Sequence, residues 1–129
     1  MTSGRYLLDT GIVASLFRGD AGVQDRIAGS EEIFVSSITL GELFYGAFKS
    51  QRTEDELEKI GEFAQVVRVL DCDADTEVYG RIKTALRVKG RPIPENDIWI
   101  AATAMQHELS LAMRDSHFEQ VDGLTFASW

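Results

Sequence analysis

The sequence predicts an α/β domain built on a mainly parallel sheet. Short runs rich in apolar and β-branched residues recur along the chain, and stretches with helical apolar spacing separate them. No internal repeat, low-complexity segment or linker interrupts that alternation, so residues 1–129 read as one domain. Arg5 to Leu8 forms a first strand, followed at once by helical patterning over Ile12 to Phe17. A second short helix runs from Ala21 to Ala28 after the break at Gly19-Asp20, and Ile33 to Val35 is a second strand. From Thr39, the residues Leu40, Leu43, Phe44, Ala47 and Phe48 recur at helical spacing. Thr53, with Glu56 three residues on, makes a capping box for a helix reaching Ala64. Val66 to Leu70 reads as a third strand, and Asp73 or Asp75 caps a long helix that stops before Gly90. A further helix runs from Pro94 or Glu95 to about Leu109, then Leu111 to Met113 and Leu124 to Ala127 supply two last strands.

With 129 residues, 44% hydrophobic and 26% charged, the chain has the composition of an ordered globular domain. It buries roughly two thirds of its unfolded surface and needs no covalent staple. Thirteen Lys and Arg against 21 Asp and Glu give a net charge of -8, which excludes a chain-wide basic footprint for nucleic acid. Such a partner must be met by a local patch or through bound cations. Cys72 is the only cysteine, so an internal disulfide and a thiolate metal cluster are excluded. Flanked by Asp71 and Asp73, it reads as a small packing residue, because neighbouring negative charge opposes a thiolate. The stretch Tyr6 to Leu8 is too short for a signal-peptide core, and Ile98 to Met105 is far short of a membrane span. The expected compartment is the cytosol, with no membrane partner.

Several carboxylates stand where carboxylates are costly. Asp9 closes the first strand and Asp115 stands two residues after the fourth, and parallel sheets bind ligands outside the carboxyl ends of their strands. Each also suits a helix N-cap. Asp97 lies in the first turn of a helix apolar nearly all round, on a stripe shared with Ala101 and Ala104. The helix dipole favours an anion there by only ~0.3–1 kcal/mol, too little to cover the burial of a lone charge, so a cation is its natural partner. Glu42 falls on the side of its helix opposite Leu40, Leu43 and Phe44, as a solvated residue would. Gly41 and Gly46 beside it, each costing ~1 kcal/mol in a helix, fit a second reading in which something approaches that face.

Three other features carry less. Asp9-Thr10-Gly11 matches the short motif of aspartic proteases, but that chemistry lives on an all-β fold, against the long helical patterns here. His107 and His117, without a third histidine or cysteine nearby, do not make a zinc site and read as surface or structural residues. Arg81, Lys83, Arg87, Lys89 and Arg91 fall within eleven positions without an acid among them. Such a run is an ordinary solvated helix face and also the one concentrated patch able to meet a phosphate backbone.

Four blocks in order, Tyr6-Leu-Leu-Asp9-Thr10, Ile38-Thr-Leu-Gly-Glu42-Leu-Phe-Tyr-Gly46, Pro94-Glu-Asn-Asp97-Ile-Trp-Ile-Ala-Ala102 and Arg114-Asp115-Ser-His-Phe118, resemble the PIN-domain ribonucleases of the VapC toxin type. The resemblance spans Tyr6 to Phe118. It implies a three-layer α/β/α sandwich, metal-dependent endoribonuclease activity on RNA, a homodimer, and neutralisation by a small cognate antitoxin. Carried over by position, the metal-site acids are Asp9, Glu42, Asp97 and Asp115, with Thr10 and Asn96 in supporting places. Gly11 stands where many relatives carry Asn, and Met113 where they carry Thr or Ser; both positions support the site through hydrogen bonds.

Oxygen donors without imidazole or thiolate select hard ions, Mg²⁺ or Mn²⁺. Asp9, Asp97 and Asp115 are assigned to the metal directly and Glu42 to a ligand or water-orienting role, while Arg87, Lys89 and Arg91 are the RNA-binding candidates. Two alternatives stay open: a catalytically weak module that binds antitoxin or RNA without cutting, and a metal-dependent DNA nuclease or phosphatase on a similar sheet.

Overall fold

The computed structural model describes residues 4–129. Five strands, β1 (Arg5–Leu8), β2 (Glu32–Ser36), β3 (Arg68–Leu70), β4 (Ser110–Met113) and β5 (Phe126–Ser128), pair in parallel throughout, in the order β3-β2-β1-β4-β5. The chain lays down β1, β2 and β3 in one direction, then crosses back to put β4 on the other flank of β1. The order of strands therefore reverses between β1 and β4, where a parallel sheet opens a crevice at its carboxyl edge.

Six helices cover the sheet: α1 (Thr10–Phe17), α2 (Ala21–Ala28), α3 (Ser37–Phe48), α4 (Thr53–Val66), α5 (Thr76–Lys89) and α6 (Glu95–Gln106). Alternation along the strands sends Leu7, Phe34 and Leu111 to one face and Leu8, Val35 and Ala112 to the other. The first set packs with Ile82 and Leu86 of α5, Ile98 and Ile100 of α6, and Phe118. The second set packs with Ile12 and Val13 of α1, Val23 of α2, and Leu43 and Phe63 from α3 and α4. Two cores on opposite faces of one sheet make the three-layer sandwich expected. No helix among the described residues is long and apolar enough to cross a membrane.

Element borders differ from the sequence reading where a local bond decides. The Thr53–Glu56 capping box does not form: Thr53 Oγ1 donates to Ser50 O at 2.8 Å, and Arg52 occupies the cap position without a side-chain bond. Val66, expected in β3, extends α4 with its side chain exposed, and β3 begins at Arg68. Neither Asp73 nor Asp75 caps α5 through its side chain; both belong to a short 3-10 turn, Asp73–Asp75. Cys72, expected to be a packing residue, is half-buried just before that turn. The stop of α5 is as read, since Gly90 takes φ 72°, a left-handed conformation glycine adopts at little cost. Helix α6 ends three residues early because the chain turns through Glu108 at φ 55°, with Leu109 N–H donating to Ala104 O. Leu124, expected in the last strand, is instead a buried core residue ahead of β5.

Helices α5 and α6 lie antiparallel and are fastened along their length. Tyr79 stacks on Trp99 with centroids 3.9 Å apart, Lys83 Nζ meets Glu95 Oε1 at 2.9 Å, and Thr103 Oγ1 lies 2.5 Å from Asp75 Oδ2. Asp75 is fully buried, its Oδ1 and the His107 Nε2 unbonded at 3.8 Å. The Thr103 hydroxyl is thus the hydrogen-bond donor that Asp75 depends on. Thr103→Val should destabilise the fold by about 1–3 kcal/mol, the cost of a buried acceptor losing its donor; denaturant unfolding measures it.

Candidate functional site

The crevice between β1 and β4 collects acids from four distant segments. Asp9 follows β1 directly, its backbone N–H donating to Ala112 O of β4 at 3.0 Å. Asp115 lies two residues past the end of β4, Asp97 sits in the first turn of α6, and Glu42 projects from α3. All four line one open cleft of about 490 Å³, shared with Thr10, Gly11, Ser15, Arg18 and Arg114.

Each acid is held differently. Glu42 is half-buried, and its solvated-face reading fails: Thr10 Oγ1 donates to Oε1 at 2.6 Å and Asn96 Nδ2 to Oε2 at 3.3 Å. Thr10 and Asn96 both reach the cleft acids through Glu42. Asp9 is only 7% exposed and takes the cap position of α1 without a capping side-chain bond. Asp115 does cap the short turn that follows it, accepting His117 N–H at 3.2 Å.

His117 is the residue that sequence reasoning set aside. Its Nε2 lies 2.5 Å from Asp97 Oδ2 and its Nδ1 2.8 Å from Asp115 Oδ1, so one ring bridges two acids. The available signal was its place two residues after Asp115, on the same turn; a search for zinc ligands could not use it. Arg18 and Arg114 were missed as well. Arg114 is fully engaged, donating to Trp129 O, Ser15 Oγ and Asp20 Oδ2, whereas Arg18 is exposed and donates to Ser15 Oγ at 3.2 Å.

The basic run on α5 is less bare than its sequence suggests. Arg81 pairs with Glu77, Lys83 with Glu95, and Lys89 with Asp122 and the Gln120 carbonyl, while Arg87 and Arg91 stand exposed. At the two departures from the family pattern, a Cβ on Gly11 would lie 3.6 Å from Asp9 Oδ2, an ordinary contact that leaves room for a side chain. Met113 is buried in the core under α5 and α6, where a thioether packs better than a hydroxyl.

The gathered charge shows in the titration of the acids. Burial, then Asp97, pushes the Asp9 carboxyl up to about 6 from 3.8, with Glu42 adding to the rise and the Thr10 and Gly11 amides opposing it. Burial also raises Asp97, against the pull of His117 and with the push of Glu42 and Asp115. No Lys or Arg forms an ion pair with any of the four among the described residues, although Arg18 and Arg114 share their cleft. Between pH of about 4 and about 6 the folded chain keeps a proton on Asp9 that the unfolded chain releases. Stability in chelator therefore falls as pH rises through that window, by on the order of 3 kcal/mol. Asp9→Asn should remove most of that loss, being more stable than the parent at about pH 8 and losing the advantage toward about pH 4; unfolding curves across pH in EDTA read it.

Comparison with known proteins agrees with this architecture. The family model described as "PIN domain" matches residues 6–124. The chain is 35% identical to the tRNA(fMet)-specific endonuclease VapC of Shigella flexneri, over 97% of this chain and 98% of that protein. It is 36% identical to Ribonuclease VapC2 of Haemophilus influenzae over the same shares. Among solved structures, VapBC2 from Rickettsia felis bound to a promoter DNA fragment superposes with a TM-score of 0.88 at 30% identity, covering 96% of this chain and 98% of that one. DNA-bound VapBC from Salmonella typhimurium gives 0.90 at 29%, covering 97% and 98%. A crevice at the strand-order reversal, acids from the four expected blocks and relatives matched along nearly their full length place this chain in the PIN-domain family, among the VapC ribonucleases.

Proposed function

We propose that the protein is an endoribonuclease dependent on Mg²⁺ or Mn²⁺, the toxin half of a toxin-antitoxin pair, with Asp9, Glu42, Asp97 and Asp115 as its catalytic acids. The observation that carries this is the convergence of those four side chains on one cleft in a chain of this family. The donor set fits a hard divalent ion in kind, being all carboxylate oxygen, mutually repelling and, among the described residues, without a Lys or Arg ion pair. No three His, Cys, Asp or Glu side chains among the described residues already form a group able to hold an ion. Asp9, Asp97 and Asp115 would hold it, with Glu42 as a further ligand or as the group orienting the attacking water. A divalent ion there supplies an activated water and positive charge for the phosphodiester.

The chain's own residues do the rest. Thr10 and Asn96 fix both oxygens of Glu42, which keeps one acid aimed into the cleft from the α3 side. Arg18, on the same cleft and bonded only through one nitrogen to Ser15, offers its remaining donors to a phosphate. Arg87, Lys89 and Arg91 are a second candidate set for the RNA backbone, of which Lys89 must first leave Asp122. The partner is a small antitoxin, a reading supported by the solved relatives in VapBC form.

Cleavage of single-stranded or loop RNA should require Mg²⁺ or Mn²⁺ and vanish in excess EDTA. Asp97→Asn should lower the cleavage rate at least about 100-fold while the metal-free protein stays folded, because one charge leaves a crowded site; gel assays and thermal unfolding check both. Near-normal cleavage by that variant removes Asp97 from the site. Arg18→Ala should weaken RNA binding and reduce the log–log salt slope by roughly 0.7, one single-strand phosphate contact. The triple substitution Arg87→Ala, Lys89→Ala and Arg91→Ala, measured alongside, shows whether the backbone also crosses the end of α5. An unchanged slope there leaves α5 out of the interface.

A further inference from the structure

One ring touching two acids from different elements is more than a packing contact. Asp97 comes from α6 and Asp115 from the turn after β4, and His117 is the side chain that joins them. The Asp115 side chain is 55% exposed, so its own surroundings do not fix it. Its Oδ1 accepts the backbone N–H of His117 at 3.2 Å and lies 2.8 Å from the ring Nδ1. The ring in turn lies against Phe118, centroids 4.9 Å apart, and Phe118 is fully buried in the core. A rigid anchor therefore reaches two carboxylates through one imidazole. On each carboxylate only one oxygen is used, Oδ2 of Asp97 and Oδ1 of Asp115, and the other oxygen has no hydrogen-bond partner among the described residues.

We propose that His117 is the positioning residue of the ion site: meeting Asp97 Oδ2 at one ring nitrogen and Asp115 Oδ1 at the other, it holds the two carboxylates in place and leaves one oxygen of each for a divalent ion. This rests on the reading of the cleft as an ion-dependent nuclease site. Carboxylate ligands held by outer hydrogen bonds meet an ion in a fixed orientation, and losing such a partner typically costs 10–100-fold in metal affinity. Histidine suits the position because its one ring carries two separate nitrogens, one a donor in the neutral form and both donors in the cation, so a single side chain can face two carboxylates.

The experiment is a Mn²⁺ titration of the whole protein by calorimetry or by the EPR signal of free Mn²⁺, with no RNA present. His117→Ala should weaken Mn²⁺ binding by about 10–100-fold, and His117→Gln, which keeps one donor, should fall between it and the parent. The metal concentration giving half-maximal RNA cleavage should rise in the same order. Unfolding midpoints in EDTA identify which variants are folded. Unchanged Mn²⁺ affinity in the folded variants makes the imidazole a bystander, and tighter binding makes it a competitor of the ion; either overturns the proposal. Asp97→Asn separates this from the wider reading. If that variant loses Mn²⁺ binding while the His117 variants keep it, only the positioning role falls; if it binds as the parent does, the ion site itself falls and the role with it.

Discussion

Like charge at the end of a parallel sheet is the constraint around which this molecule is organised. Four carboxylates approach one another at the crevice between β1 and β4, and one of them, Asp9, is nearly buried. Repulsion and desolvation both work against the folded state there, and the rest of the fold has to outweigh them. The two cores do so by gripping the sheet from both faces, with the fully buried Leu7 and Leu8 beside Asp9 in sequence. The neighbourhood moderates the cost without cancelling it. Neutral donors hold Glu42, one imidazole holds Asp97 and Asp115, and the nearby arginines are turned to other partners.

The same neighbourhood shows how stability and function divide among residues of one type. Asp75 is as buried as any acid in the chain, yet it faces Thr103 and His107 between α5 and α6 and lies on no path to the cleft. Asp20 pairs with Arg114 and is held below its ordinary range by that guanidinium, with the Val23 N–H assisting. Asp20 has a guanidinium to answer its charge, and Asp75 has one hydroxyl donor on one of its oxygens. The cleft acids crowd one another without a Lys or Arg partner among the described residues, and that crowding, more than burial, sets them apart from Asp20 and Asp75.

Much of the fold was legible because periodicity and punctuation agree. The alternation of strands and helices, the borders of β1 and α2, and the stop at Gly90 follow from side-chain spacing and one residue's backbone freedom. The misreadings came from bonds between neighbours: Thr53 turning back to Ser50, Val66 winding on at the exposed end of α4, Glu108 ending α6 early. In the site, Asp9, Asp97 and Asp115 could be singled out from strand ends and an apolar helix. Glu42 could not be separated from a solvated face by spacing alone, because α3 passes the rim of the cleft and one side of it meets Thr10 and Asn96 rather than water. His117, Arg18 and Arg114 carry no motif of their own. Their roles arise from where the turn after β4 and the end of α1 meet in space, which no local pattern encodes.

The placement of β1 at the centre of the sheet, paired with β4 through Leu7–Leu111 and Leu8–Ala112, has a consequence for the making of the protein. Synthesis is vectorial, so Asp9 and Glu42 leave the ribosome long before Asp97, His117 and Asp115. Until residues 110–113 dock against β1, half of the crevice has no wall and its acids remain dispersed on an unfinished chain. The four acids can therefore come together only when nearly the whole polypeptide has emerged. The strand order thus fixes how late in synthesis the crevice can be completed.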